Sequence, residues 1–267
     1  QQKSFLHGLS RTQASILERR LSSAFTSAQI LAFEVEHNDG DSRWFEEYAD
    51  TLIKSIGGIE SLQLAPDGII EKIYPLEENE SAIGLDIVSM PQFREEAMLA
   101  IKHKRLFALG PVPLVQGGVA VISRAPIFLY RGTQREIFWG LASAIIYVDN
   151  LLEATQLQQL KNEGYQYSLS RKHAGTNERI IVSSTSAPLT DIQASTDLIL
   201  PVGTWTLSIS KTLGAQLTAR RITGYAISLL VAFLLSIALY AILIQPLRLR
   251  KLVKEKTTEL QQLAYQD

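Results

Sequence analysis

Arg124 is the residue whose setting most invites chemistry. It stands in Val119-Ala120-Val121-Ile122-Ser123-Arg124-Ala125-Pro126-Ile127-Phe128, an otherwise apolar strand-like run, where a guanidinium is costly unless it is paired. Pointing into the concave face of a sheet, its rigid fork would suit a ligand carboxylate or phosphate. Two structural readings stand beside that one: an internal ion pair, for instance with Asp86 or Glu80, and an exposed edge position. The other reactive side chains form no catalytic pattern. His7, His37, His103 and His173 are scattered, with no i, i+4 pair and no H-E-x-x-H box. Nucleophile-elbow, P-loop and dinucleotide-binding signatures are missing as well. Glu77, Glu78 and Glu80 read as a solvated acidic loop, and Asn79-Glu80-Ser81 matches a glycosylation sequon. Without cysteine there can be no disulfide, no Cys-ligated zinc and no thiol nucleophile. No cofactor and no metal are implied, and catalysis is not expected of this stretch of chain.

The composition sets the frame for these residues. With 267 residues, 46% hydrophobic and 20% charged, the chain can build one large or two small domains and is not of a disordered type. Its 26 Lys+Arg against 27 Asp+Glu leave a net charge of -1, without the basic footprint of a nucleic-acid binder. The charges are segregated, because residues 222–244 carry none. As a helix that stretch would run about 35 Å, against a hydrocarbon core of about 30 Å. Arg220 and Arg221 precede it, while Arg248, Arg250, Lys251, Lys254 and Lys256 follow. The heavier basic cluster predicts a cytoplasmic C-terminal side, with residues 1 to about 219 outside. That outer part is mildly acidic, with 21 basic and 24 acidic residues. Gly224, Ser228, Ala232 and Ser236 fall on one helix face, a spacing that suits helix pairing. The chain opens on Gln1 with no Met before Met90, so a hydrophobic segment upstream is expected to export the outer part.

Along the outer part, residues 4–36 read as one long helix that stops at Asn38-Asp39-Gly40-Asp41, serving as a stalk or dimer seam, or else laid on its own domain. A second helix shows Trp44, Phe45, Tyr48, Leu52 and Ile56 on one face and ends at Gly57-Gly58. Alternating runs flank Pro66-Asp67-Gly68 and predict a hairpin over 61–74. A helix is expected over 90–103, then strands over 106–115, 118–123 and 126–130. A second unit opens at residue 138, with a strand over 138–148, a helix over 151–161, and strands over 165–170, 180–184 and 204–210. The expected divisions are 1–41 (stalk helix), 42–137 (membrane-distal), 138–212 (membrane-proximal), 213–245 (membrane helix and its approach) and 246–267 (cytoplasmic linker). The class is α+β, with helices on one side of antiparallel sheets.

The residues in this order resemble the CHASE sensor domains of bacterial and plant receptors. The matching pieces are Gln63-Leu64-Ala65-Pro66-Asp67-Gly68-Ile69-Ile70, Ile73-Tyr74-Pro75-Leu76-Glu77-Glu78-Asn79-Glu80 and Ile83-Gly84-Leu85-Asp86. The helix with Arg94 and Ala97 follows, then Gly110-Pro111-Val112, Leu114-Val115-Gln116-Gly117-Gly118, Arg124-Ala125-Pro126-Ile127-Phe128 and Phe138-Trp139-Gly140. Together they cover about residues 43 to 150 in family order. The resemblance implies tandem PAS-like subdomains, a small-molecule ligand in the distal one, and a transmembrane helix leading to a cytoplasmic output. It also implies a bacterial inner-membrane receptor with a periplasmic sensor that works as a homodimer. In plant cytokinin receptors of this family a Thr on the comparable strand contacts ligand; Arg124 holds that place here and favours an anion. Tyr74, Asp86, Phe107, Arg124 and Trp139 are the candidate lining, an aromatic and apolar set with a few polar anchors. The tail Leu263-Ala264-Tyr265-Gln266-Asp267 is similar to the lead-in of a GGDEF diguanylate cyclase domain. Leu249, Val253, Leu260 and Leu263 suit a short coiled coil before it. The alternative is a protein- or peptide-binding module of a sensor histidine kinase.

Overall fold

The structure, a computed structural model, describes residues 2–185, 189, 192–211, 224–240, 242, 244 and 253. Residues 1–211 form one compact unit and residues 212–267 a second. The first unit opens with α1 (Gln2–His37) and α2 (Phe45–Ile56), followed by the hairpin β1 (Ser61–Pro66) and β2 (Lys72–Tyr74). Helix α3 (Pro91–His103) leads to β3 (Phe107–Pro113), β4 (Val119–Leu129) and β5 (Ile137–Tyr147). Then come α4 (Val148–Glu153), α5 (Leu157–Asn162) and strands β6 (Tyr165–Lys172), β7 (Arg179–Ser184), β8 (Ala194–Leu200) and β9 (Gly203–Lys211).

Local chemistry accounts for most of these elements. Asp67 and Gly68 take positive φ values of 51° and 87°, turning the chain between β1 and β2 as Pro-Asp-Gly predicts. Pro91 sits in the first turn of α3, where its missing N–H is no loss, and Lys104 closes the helix in the left-handed region. The sequon Asn79 is buried, its Nδ2 donating to the carbonyls of Pro75 at 3.0 Å and Glu77 at 3.2 Å. In the folded chain that side chain is a loop clamp and is closed to glycosylation.

The strands form two antiparallel sheets, ordered β2-β1-β5-β4-β3 and β7-β6-β9-β8. Both follow one plan: a hairpin at one edge, with the last strand slotted beside the hairpin's first strand. This repeat of form has no counterpart in the residues. It also corrects the boundary expected at 137, since β5 is the central strand of the first sheet, paired with β1 and β4. The expected break in β4 is absent, because residues 119–129 are one strand. Pro126 is tolerated there because β3 pairs with β4 only as far as Arg124, so beyond it β4 has a partner on one side. The helix expected over 151–161 is two short helices, and β8 is an additional strand.

Helix α1 spans both sheets. Leu17, Leu21, Phe25, Leu31 and Val35 are fully buried in one core cluster with Leu64 and Ala144 of the first sheet and Leu207 and Ile209 of the second. Of the roles open to it, the observed one is a helix laid along its own domain; a wide apolar face on a helix this long has to be covered.

In the second unit, residues 224–240 are helical, and Ser228 and Ser236 donate back to the carbonyls of Gly224 and Ala232, each at 2.9 Å. Among the described residues no helix is long and apolar enough to cross a membrane. The remainder of the expected span, its approach and nearly all of the linker lie outside the described residues.

Candidate ligand site beneath α3

Strand alternation decides which of the candidate residues meet. Arg124 and Phe107 are register partners across β3 and β4, on the sheet face that α3 covers. Tyr74 and Trp139 lie on the opposite face, packed against the α1 side of the core. Tyr74 donates its hydroxyl to Asp50 Oδ1 at 2.6 Å. Asp86 caps a turn, its carboxylate accepting from the backbone N–H groups of Val88 (3.0 Å) and Ser89 and from Ser89 Oγ. Only Arg124 and Phe107, of the five, are brought together.

Arg124 is 3% exposed, which removes the edge reading. Its Nη1 donates to the carbonyl of Phe93 at 3.3 Å, and the guanidinium lies 5.0 Å from the centre of the Phe93 ring. Its Nε is buried without a hydrogen-bond partner among the described residues. It forms no ion pair among the described residues, so the alternative of an internal pair with Asp86 or Glu80 is not found. Burial pushes its pKa down to about 10, with the charge of Glu96 working in the other direction.

Glu96 is the centre of a group not singled out in the sequence. Its side chain, on α3, is 8% exposed, with Oε1 3.6 Å from Arg171 Nη2 and 3.4 Å from His173 Nε2. Arg171 is buried on β6, and its Nε donates to the carbonyl of Gly110 at 2.6 Å. Burial lowers the Arg171 pKa, and the Glu96 carboxylate opposes that shift. One carboxylate on the cover of the first sheet is thus tied to the end of the second sheet. The signal for Arg171 was present: Tyr165, Tyr167, Leu169 and Arg171 alternate, and the arginine holds an inward position.

Gly110, whose carbonyl takes the Arg171 bond, is itself closely packed against β4. Its φ is +122°, and a Cβ there would lie 2.5 Å from the Ala120 carbonyl oxygen and 3.0 Å from Val121 Cα. Backbone cannot swing aside, so Gly110→Ala is expected to destabilise the domain by about 2–5 kcal/mol in urea unfolding. Gly117→Ala, at φ +100° with nothing within 4 Å, isolates the conformational part and should cost less.

Several solved structures share this architecture at low sequence identity. An extracellular ligand binding receptor from Desulfohalobium retbaense aligns with a TM-score of 0.55 at 13% identity, covering 76% of this chain. The chain spans 39% of that protein. The extracellular domain of the histidine kinase rpHK1S-Z16 also gives 0.55, at 14% identity over 79% of this chain and 95% of that one. The sensory domain of the Campylobacter jejuni chemoreceptor Tlp3 gives 0.50, at 11% identity over 79% and 94%. Identities this low speak to the fold alone. A search of curated proteins finds no match. The CHASE domain model matches residues 46–181, more than half of the length, and the chain therefore belongs to the CHASE domain family.

Proposed function

We propose that the chain is the periplasmic sensing part of a bacterial transmembrane receptor, and that a small anion is received on Arg124 beneath α3. The observation that carries this reading is a buried guanidinium whose Nε has no hydrogen-bond partner, and which has no ion pair, among the described residues. A buried cation left in that condition suits a ligand carboxylate or phosphate, which would supply both the charge and the missing acceptor. Phe107 would form part of the wall. Glu96 lies close enough to act on Arg124 and is bridged to Arg171, so an arriving anion disturbs a link between the two sheets. Ligand can shift the receptor only through its differential affinity for two states, and a tenfold shift needs about 1.4 kcal/mol. The uncharged stretch 222–244 with its basic C-terminal flank supports a membrane helix, and its small-residue face supports a homodimer. The output would be a diguanylate cyclase, as the tail resemblance implies, or a histidine kinase, as in one of the structural relatives.

A second reading has one observation in its favour. Phe93, Ala97, Leu109 and Ile122 pack on the same sheet face as Arg124, and a face already filled by side chains suits a protein or peptide partner docking outside it. A thermal-shift screen of small carboxylates and phosphates on the 267-residue chain separates the two. The expected result is that at least one anion raises the unfolding midpoint and that Arg124→Ala, still folded, loses the response. A folded Arg124→Ala that responds as the parent does overturns the proposal.

A further inference from the structure

The second sheet carries a cavity of about 780 Å³ that does not include Arg124 but shares Phe107 with the site beneath α3. Its size is ordinary for a small-molecule pocket. Hydroxyls line its floor. Ser170, Thr206 and Asp197 make one cross-strand row over β6, β9 and β8, and Ser208 and Ser195 stand in the next. The other face of the same strands presents Leu169, Leu198, Leu207 and Ile209 to the core. The polar face is not simply washed by solvent, because Ser170 and Ser208 are only 2% and 1% exposed. Recessed hydroxyls can each donate one hydrogen bond and accept two, which suits a ligand with hydroxyls of its own.

The rim is cationic. Arg105, Lys172 and Arg179 border the cavity, and none of the three forms an ion pair among the described residues. Asp197 is the one acidic lining residue among those described, and its Oδ1 already accepts from Thr206 Oγ1 at 2.9 Å. Arg179 is seated on the floor by its Nε, which donates to Ser170 Oγ at 3.0 Å. The Arg105 guanidinium lies 4.9 Å from the centre of the Phe107 ring, which holds its flat fork in place. The more deeply buried Arg171 is committed to Glu96 and adds little free charge.

We infer that this cavity is a second ligand site, for a small hydroxylated anion of the sugar-acid or sugar-phosphate type. Arg105 and Arg179 hold the acidic group, and the Ser170, Thr206 and Ser208 floor reads the hydroxyls. The inference stands independently of Arg124. Calorimetric titration of the 267-residue chain with gluconate, glucose 6-phosphate, glucose and inorganic phosphate tests it. One of the two sugar anions is expected to bind, at least tenfold more tightly than either glucose or phosphate. The gluconate and glucose 6-phosphate arms decide between a carboxylate and a phosphate. Arg179→Ala, at an exposed position, and Thr206→Val, at a half-buried one, should each weaken that binding about tenfold, and Arg124→Met should leave it unchanged. Absence of binding by both sugar anions, binding indifferent to Arg179→Ala, or binding lost in Arg124→Met would each overturn the site. Equal affinity for phosphate and glucose 6-phosphate would overturn the role given to the hydroxyl floor.

Discussion

Glu96→Ala is expected to lower the unfolding midpoint of the first unit by about 6–20 °C, the equivalent of about 3–5 kcal/mol in a domain of this size. The reason is the company Glu96 keeps. It is the carboxylate that favours the charged form of both Arg124 and Arg171, and both arginines are buried. Removing it leaves two guanidinium groups in the interior without that counter-charge, and backbone carbonyls and a ring face offset only part of the lost hydration. The Arg171–Glu96 contact should not be credited with that whole figure, because two charges in a dry setting lose hydration that their attraction only partly returns. The double variant Glu96→Met with Arg171→Met should therefore recover much of what Glu96→Ala loses. Thermal unfolding of the two variants beside the parent checks this. Equal losses in the single and double variants would show that packing, and not the uncompensated charge, sets the effect.

The second large effect has the opposite sign. Arg124→Met should stabilise the ligand-free chain by about 1–4 kcal/mol, raising the midpoint by about 2–16 °C. A base whose pKa falls on folding, here to about 10, holds its proton less tightly in the folded state than in the unfolded one. At neutral pH both states are protonated, so the folded state bears the full cost of the buried charge. That cost fades only as pH rises above about 10 toward the ordinary arginine range, where the unfolded chain binds more protons and stability climbs with pH. Methionine fills similar space with no charge to bury. A residue that weakens the empty domain and is kept for what it binds is the usual trade at a functional site. A Met variant less stable than the parent would show that the contacts with Phe93 outweigh the desolvation, and the case for a ligand anchor would fall.

Much of the first sheet was legible because its signals are local. Pro66-Asp67-Gly68 between alternating runs specified the hairpin, and Pro91 specified the start of α3. What stayed hidden was decided by partners distant in the chain. The turn after β4 marks where a strand begins, but nothing local shows that β5 enters the middle of the sheet already begun, and so a boundary was expected at 137. Arg124 and Pro126 looked like a break in β4 because each opposes a central strand on general grounds. The end of the β3 pairing at Arg124 is what tolerates Pro126. The candidate lining scattered for a simpler reason: Tyr74 and Trp139 alternate onto the α1 side, while Arg124 and Phe107 take the α3 side. Arg171 and Glu96 went unnoticed because their elements lie in different layers, so the pair exists only after folding.

The placing of the last strand in the middle of each sheet has a mechanical consequence. β9 is the strand by which the chain leaves the first unit, and it is bonded on both flanks, to β6 along 165–171 and to β8 along 194–200. Tension applied along β9 loads two ladders in shear, so their bonds must yield together and cannot unzip one by one from an edge. An exit strand anchored in that way transmits a pull with little slack, in either direction, between the polar floor of the second sheet and whatever follows Lys211.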